Sequence, residues 1–357
     1  MGISMENGLS TNKSVGKQSV LFQNPPCVLG YSSIAGKKEG EGPLGSCFDI
    51  IEEDPLAGGK SWEDAESRLQ KKAAELAIQK ASLQPKDIRY LIAGDLLGQL
   101  IATSFGIVDL EIPMFGVYGA CSTMGESISI AAMLIDGGFA DKVIALTSSH
   151  FAGAEKQFRF PLDYGNQRPL AATWTVTGSG AVILGSPKEV KKLPEDTNPT
   201  IHITGITTGK VMDYGIKDSM NMGACMAPAA ADVIFHNLSD FDRKPDYYDK
   251  IITGDLGYVG ADILKDIMKE KGYDISKNHM DCGVEIFSKE TQDTHSGGSG
   301  CGCSAITLTG YVFKKMIQRE WKKVLFVPTG ALLSTVSFNE GNSVPGIAHG
   351  VVIEIME

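Results

Sequence analysis

The sequence predicts an α/β protein built from two fused, similar βαβ halves. Its 357 residues are 43% hydrophobic, enough for one large core or two joined ones. Short apolar strand runs alternate with helical patterns, and many of the 41 glycines fall at the turns between them. Three motifs also occur twice, in the same order.

Met1–Lys17 is polar and is expected to be a frayed or added N-terminal segment. The first half is expected over residues 18–186. Within it an amphipathic helix runs into the turn Leu83-Gln84-Pro85-Lys86-Asp87 and then the strand Tyr90–Gly94, which ends in Gly94-Asp95-Leu96. The second half, residues 200–357, repeats this as Arg243-Lys244-Pro245-Asp246, an apolar run from Lys250, and Gly254-Asp255-Leu256. Next, Ala120-Cys121-Ser122 matches Gly302-Cys303-Ser304. Each opens a helix that leads into a strand, Lys142–Leu146 or Lys323–Val327. Last, Thr177–Leu184 matches Ile347–Glu354. The offset drifts from 160 residues at the first match to 182 and 170 at the others, as insertions in a duplicated design would cause. The charged, proline-containing stretch 187–199 is the expected linker.

Composition narrows the function. Lys and Arg number 33 against 43 Asp and Glu, a net charge of −10, which argues against a nucleic-acid surface or adhesion to anionic lipid. No run of about 18 apolar residues is present, so no transmembrane helix is expected. The seven cysteines are odd in number and thinly spread, so reduced thiols are expected.

Cys121 is the most informative residue. It follows a strand run and precedes a helix rich in small residues, where free N–H groups would lower a thiol pKa and hold anions. A cysteine acyltransferase also needs a base, and no histidine stands where one is required.

The duplicated halves, the Ala120-Cys121-Ser122 setting and the run Gly298-Ser299-Gly300-Cys301-Gly302-Cys303-Ser304 resemble the thiolase-like superfamily. That resemblance implies a layered α/β/α/β/α arrangement. It places Ser299 where thiolases carry a basic histidine, and Asp255 where the synthase branch carries another. At closer range, Tyr118–Thr123, Asp136–Ala140, Thr147–His150, Val176–Val182, Met226–Asp232, Thr329–Ser334 and Ile347–Val351 resemble the stage V sporulation protein AD family. This second resemblance implies a soluble, non-catalytic component of a sporulation channel assembly. It would bind dipicolinic acid (pyridine-2,6-dicarboxylic acid), with or without calcium, in a pocket related to the thiolase active site. It would act in uptake into the forespore and in release on germination. Membrane-embedded channel subunits are the implied partners, holding the chain at the spore inner membrane, and a homodimer follows by analogy with thiolases.

The expected ligand-binding set is Cys121, Ser343, Ser299, Asp255, Ser334 and His349. Cys121 would line the floor of the pocket. Serine hydroxyls can donate to carboxylate oxygens, and Ser343, in the last Gly-rich loop, is favoured among them. Asp255 could hold calcium that the ligand also chelates, or cap the following helix. His349 could replace a lost base, or be structural. The loop 151–172 carries Arg159 and Arg168 as cations for a dianion. It could also cover the pocket or cross a dimer interface. No metal or cofactor is expected: Cys301-Gly302-Cys303 with His295 supplies too few zinc ligands, and the Gly-Ser-Gly turns lack a phosphate-loop ending. Two rivals stand beside the binding protein: an acyltransferase using Cys121, and a structural adaptor with a vestigial pocket.

Overall fold

A computed structural model describes residues 13–158, 168–190 and 200–356. Arg159 and most of the expected linker lie outside the described residues.

Ten principal strands form two five-stranded units of the same topology. In the first half these are β1 (Cys27–Gly36), β2 (Tyr90–Gly94), β3 (Met114–Gly116), β4 (Lys142–Ser149) and β5 (Gly178–Gly185). In the second they are β6 (Thr200–Thr208), β7 (Lys250–Thr253), β8 (His279–Asp281), β9 (Lys323–Val327) and β10 (Gly346–Met356). The spatial order is β3-β2-β4-β5-β1 in one half and β8-β7-β9-β10-β6 in the other. The matching pairs are parallel or antiparallel alike: β2 runs parallel to β3 and β4, as β7 does to β8 and β9. β5 and β10 run antiparallel to both their neighbours. The repeat read from the sequence is therefore the repeat of the fold. The two units meet edge to edge at Cys27 of β1 and His202 of β6.

Helices form the remaining layers. On the outer faces, α1 (Trp62–Lys80) covers β1, β4 and β5 with α2 (Ile101–Ile107) against it. Likewise α5 (Met222–Asp240) covers β10, with α6 (Gly257–Glu270) against it. Between the sheets lie α3 (Thr123–Asp136) and α7 (Cys301–Thr307), while α4 (Phe151–Phe158) follows β4 at the edge of the site. Strands covered on both faces read as continuous apolar runs, and β4 and β9 do so.

The central helices pack across the duplication. α3 leans on β10 of the other half, and α7 on β5, β4 and β1 of the other half. Two glycines permit this. A Cβ on Gly125 would lie 3.0 Å from the His349 carbonyl oxygen, and one on Gly180 would lie 2.7 Å from that of Ala305. Small residues therefore let helix and strand backbones approach without a side-chain spacer.

The N-terminal segment corrects one expectation. Its last residues are tied down: Ser14–Val15 pairs with Ser19–Val20, and Val20 and Leu21 extend the edge of β6. Lys13 reaches the buried Asp136 at 2.7 Å. Asp240 accepts from the Lys17 and Gln18 amides and the Ser19 hydroxyl.

Candidate functional site

Cys121 sits on a sharp corner between β3 and α3. Ala120 takes a left-handed φ of 49°, which turns the chain abruptly before the helix. The corner is held by Ser122 Oγ donating to the Gly119 carbonyl at 2.7 Å and by Thr123 Oγ1 donating to that of Ala120 at 2.6 Å.

The second half closes over this corner. Asp255, in the turn after β7, accepts from Gly300 N–H at 2.9 Å and Thr329 Oγ1 at 2.7 Å, and also from the Cys121 thiol. Cys301, the first residue of α7, donates its thiol to the Ala120 carbonyl at 3.0 Å. Cys121 and Cys301 share a small apolar cluster with Leu96 and Ala154. Behind them Ser149 Oγ donates to the Val176 carbonyl and accepts from Gly302 N–H, which fixes the start of α7.

Electrostatics set the chemistry. Burial pushes the Cys121 thiol well above its ordinary value, and the adjacent Asp255 carboxylate adds to the rise. The lowering expected from the helix start is outweighed, so the group is a thiol rather than a thiolate at neutral pH. Burial also raises Asp255 to about 7, against the opposing pull of its three donors. The cleft above Cys121 is lined by Leu96, Tyr118, Phe158, Met222, Leu333, Thr175, Glu155 and Ser299, among others. Among the described residues, none that lines it is His, Lys or Arg. Its free volume is about 30 Å³, room for one water.

Three of the six expected residues, Cys121, Asp255 and Ser299, converge here. The other three do not. Ser334 caps a short helix by accepting from Ser337 N–H, one residue beyond Leu333 on the rim. Ser343 is half-buried and donates to Asp213 at 2.6 Å. His349 Nδ1 faces Gly209 N–H at 3.4 Å, its Nε2 is buried without a partner, and burial lowers it to about 4. It is therefore a neutral imidazole set away from the thiol. Asp255 does not cap the helix after it. Asp281 does so, accepting from the Leu256, Gly257 and Val284 amides and the Thr253 hydroxyl.

Sequence reasoning missed Cys301. It paired Cys303 with Cys121, but Cys303 points its thiol toward the Gly254 carbonyl. The signal was present in the Cys-x-Cys spacing, because neighbouring positions in a helical turn face different neighbours.

Two sheets enclosing paired central helices, with a cysteine at the first-half corner, define the thiolase-like fold. Solved structures agree. The chain matches human mitochondrial 3-ketoacyl-CoA thiolase in complex with CoA at a TM-score of 0.55 and 14% identity, over 94% of this chain and 99% of that one. It matches 3-oxoacyl-[acyl-carrier-protein] synthase III of Aquifex aeolicus at 0.52 and 13%, over 92% and 99%. A variant of Xanthomonas campestris OleA gives 0.58 and 14%, over 94% and 98%. At such identities the likeness concerns the fold alone. The family follows from sequence: the family model of stage V sporulation protein AD matches residues 16–354. The stage V sporulation protein AD of Bacillus subtilis is 46% identical over 342 residues, 96% of this chain and 98% of the relative. The chain belongs to the stage V sporulation protein AD family.

Proposed function

We propose that this protein is a non-catalytic binding protein for dipicolinic acid that serves its uptake into the forespore and its release on germination. Family membership supports the sporulation role. The non-catalytic part rests on one observation: the Cys121 thiol is buried beside the Asp255 carboxyl, and burial and that carboxyl together hold it in the protonated form, the weaker nucleophile. A thermal-melt series tests the reading. Dipicolinate raises the melting temperature, whereas pyridine-2-carboxylate at the same concentration does not. In parallel, incubation with acyl-CoA leaves no acyl adduct on Cys121 by intact mass. An adduct would restore the acyltransferase reading, and no shift with dipicolinate would leave a structural adaptor.

No helix among the described residues is long and apolar enough to cross a membrane. Action at the spore inner membrane would therefore run through membrane-embedded channel subunits. The homodimer is supported by β3, the outermost strand among the described residues, which leaves Met114 39% and Phe115 51% exposed at an edge that no other described strand pairs. Two such edges pair across a two-fold axis. Phe115→Lys is expected to halve the mass measured by light scattering.

A further inference from the structure

We infer that the end of the second half remote from the Cys121 site is a docking face for an anionic phospholipid bilayer. This rests on the proposal that the protein acts at the spore inner membrane, and it adds a direct lipid contact to the one made through channel subunits. The net charge of −10 argues against adhesion by the surface as a whole. The charge is not spread evenly, however. Residues 241–250 and 313–323 carry eight Lys and Arg against four Asp and Glu, and the adjoining Glu354 makes five.

The face is built on strand starts. β7 begins at Lys250 and β9 at Lys323, and the two run parallel with Lys250 opposite Val324. Lys322 stands one residue ahead of β9, where its carbonyl accepts from Ile355 N–H near the end of β10 at 2.9 Å. Lys322 and Lys323 are exposed and Lys250 is half-buried; among the described residues none of the three forms an ion pair. The acids beside them are engaged. Asp249 accepts from the Lys322 and Lys323 amides at 2.6 and 2.9 Å, and Glu354 from the Tyr247 hydroxyl at 2.7 Å. Asp255 lies just beyond the other end of β7, so docking here turns the Cys121 site away from the bilayer.

The duplication supplies a control. Tyr90 and Asp141 hold the places in the first half that Lys250 and Lys322 hold in the second. Lys142, the match of Lys323, is only 15% exposed and pairs with Glu189 at 3.1 Å. A strand start in this fold therefore does not demand an unpaired lysine. Helix ends do not account for the three either, because the macrodipole draws cations to helix C-termini.

Aromatic rings hold the charges in place. The Arg243 guanidinium and the Lys323 ammonium each lie 4.1 Å from the centre of the Tyr247 ring. Trp321 and Tyr311 meet edge to face at 5.6 Å, with Lys250 5.8 Å from the first and Lys315 5.7 Å from the second. Ile317, in the helix Phe313–Ile317 that leads toward β9, and Met356, at the end of β10, are each 42% exposed. Fixed basic groups with Trp, Tyr and scattered apolar side chains are what a charged headgroup layer favours. The three rings are half-buried and occupied by cations, so they offer nucleic-acid bases little to stack on.

The test is flotation of the full chain with vesicles of phosphatidylcholine, alone or with about one-third phosphatidylglycerol, at about 0.1 M and about 0.5 M salt. It is repeated on Lys322→Gln/Lys323→Gln and on Lys60→Gln/Lys86→Gln, an exposed first-half pair with the same change of charge. The unaltered chain is expected to float only with the phosphatidylglycerol vesicles and to lose that binding at the higher salt. Each basic residue at an anionic leaflet contributes about fivefold in affinity, so the first pair should weaken binding by about twentyfold and the second by less than about threefold. Lys250→Gln, expected to cost about fivefold, replaces the first pair if a melting curve shows that it does not fold. Equal flotation with phosphatidylcholine alone, or equal loss in the two pairs, would overturn the assignment. Tighter binding of a single-stranded oligonucleotide, abolished in Lys322→Gln/Lys323→Gln, would overturn it in favour of a nucleic-acid surface. No flotation by the unaltered chain would overturn it too, and a dipicolinate-induced rise in melting temperature in the same sample would leave the binding proposal standing. Flotation without that rise would keep the docking face and remove the ligand.

Discussion

The two halves carry the same Gly-Asp-Leu turn and use its aspartate in opposite ways. Asp95 serves its own half. It accepts from the Leu97 and Thr103 amides and the Thr103 hydroxyl, fixing the approach to α2. Asp255 turns across to the other half and meets Cys121. The exchange is possible because Asp281 has taken over the helix start that Asp255 would otherwise secure. A duplicated fold thus gains a site by relocating a structural duty: one copy of the turn stays a scaffold once the other is relieved of that role.

The largest test of this division is Asp281→Ala. It leaves four buried donors without their acceptor, two of them at the start of α6, and is expected to cost about 3 kcal/mol in denaturant unfolding. A cost below about 1 kcal/mol would mean that Asp255 still shares the capping duty.

Asp255→Asn sharpens the contrast through pH. Asp255 rises from 3.8 to about 7 on folding, so the folded chain binds its proton more tightly than the unfolded chain. Between those values the folded state holds more protons, and stability falls as pH rises across the window. Asp281, raised to about 6, and Glu39, raised to about 7, slope the same way. Asp255→Asn should therefore flatten the decline between pH 4 and 7 without abolishing it, and unfold less readily than wild type at pH 8. An unchanged slope in urea titrations would remove Asp255 from the account.

The smallest effect is on the thiol. Cys121 should alkylate with iodoacetamide far more slowly than free cysteine at pH 7.5. Asp255→Asn should speed the reaction by no more than about tenfold, since burial rather than the carboxylate is the main cause of the raised pKa. Rapid alkylation of the unaltered chain would make the corner a working nucleophile after all.

Much of this was legible in the sequence. The repeat, the strand runs and the corner at Cys121 were readable because periodicity and small residues record burial directly. Cys121, Asp255 and Ser299 could be brought together because they end strands or open helices, positions that the fold fixes. Ser334, Ser343 and His349 lie on loops or within a strand whose facing is set by long-range pairing, which no local pattern records. The role of Asp281 was hidden for the same reason: it lies 25 residues from the amide of Leu256 that it secures.

The crossed packing of α3 and α7 also governs how the chain is made. The ribosome releases residues 18–186 first, yet α3 then lacks β10, one of the strands it leans on, and β5 lacks α7. The nascent first half is left with bare apolar surface until the last strand, β10, has been synthesised. The protein should acquire protease resistance only once the C-terminus is free of the exit tunnel. Truncation before Gly346 should then yield aggregation rather than a soluble half, and the finished molecule should melt in one transition.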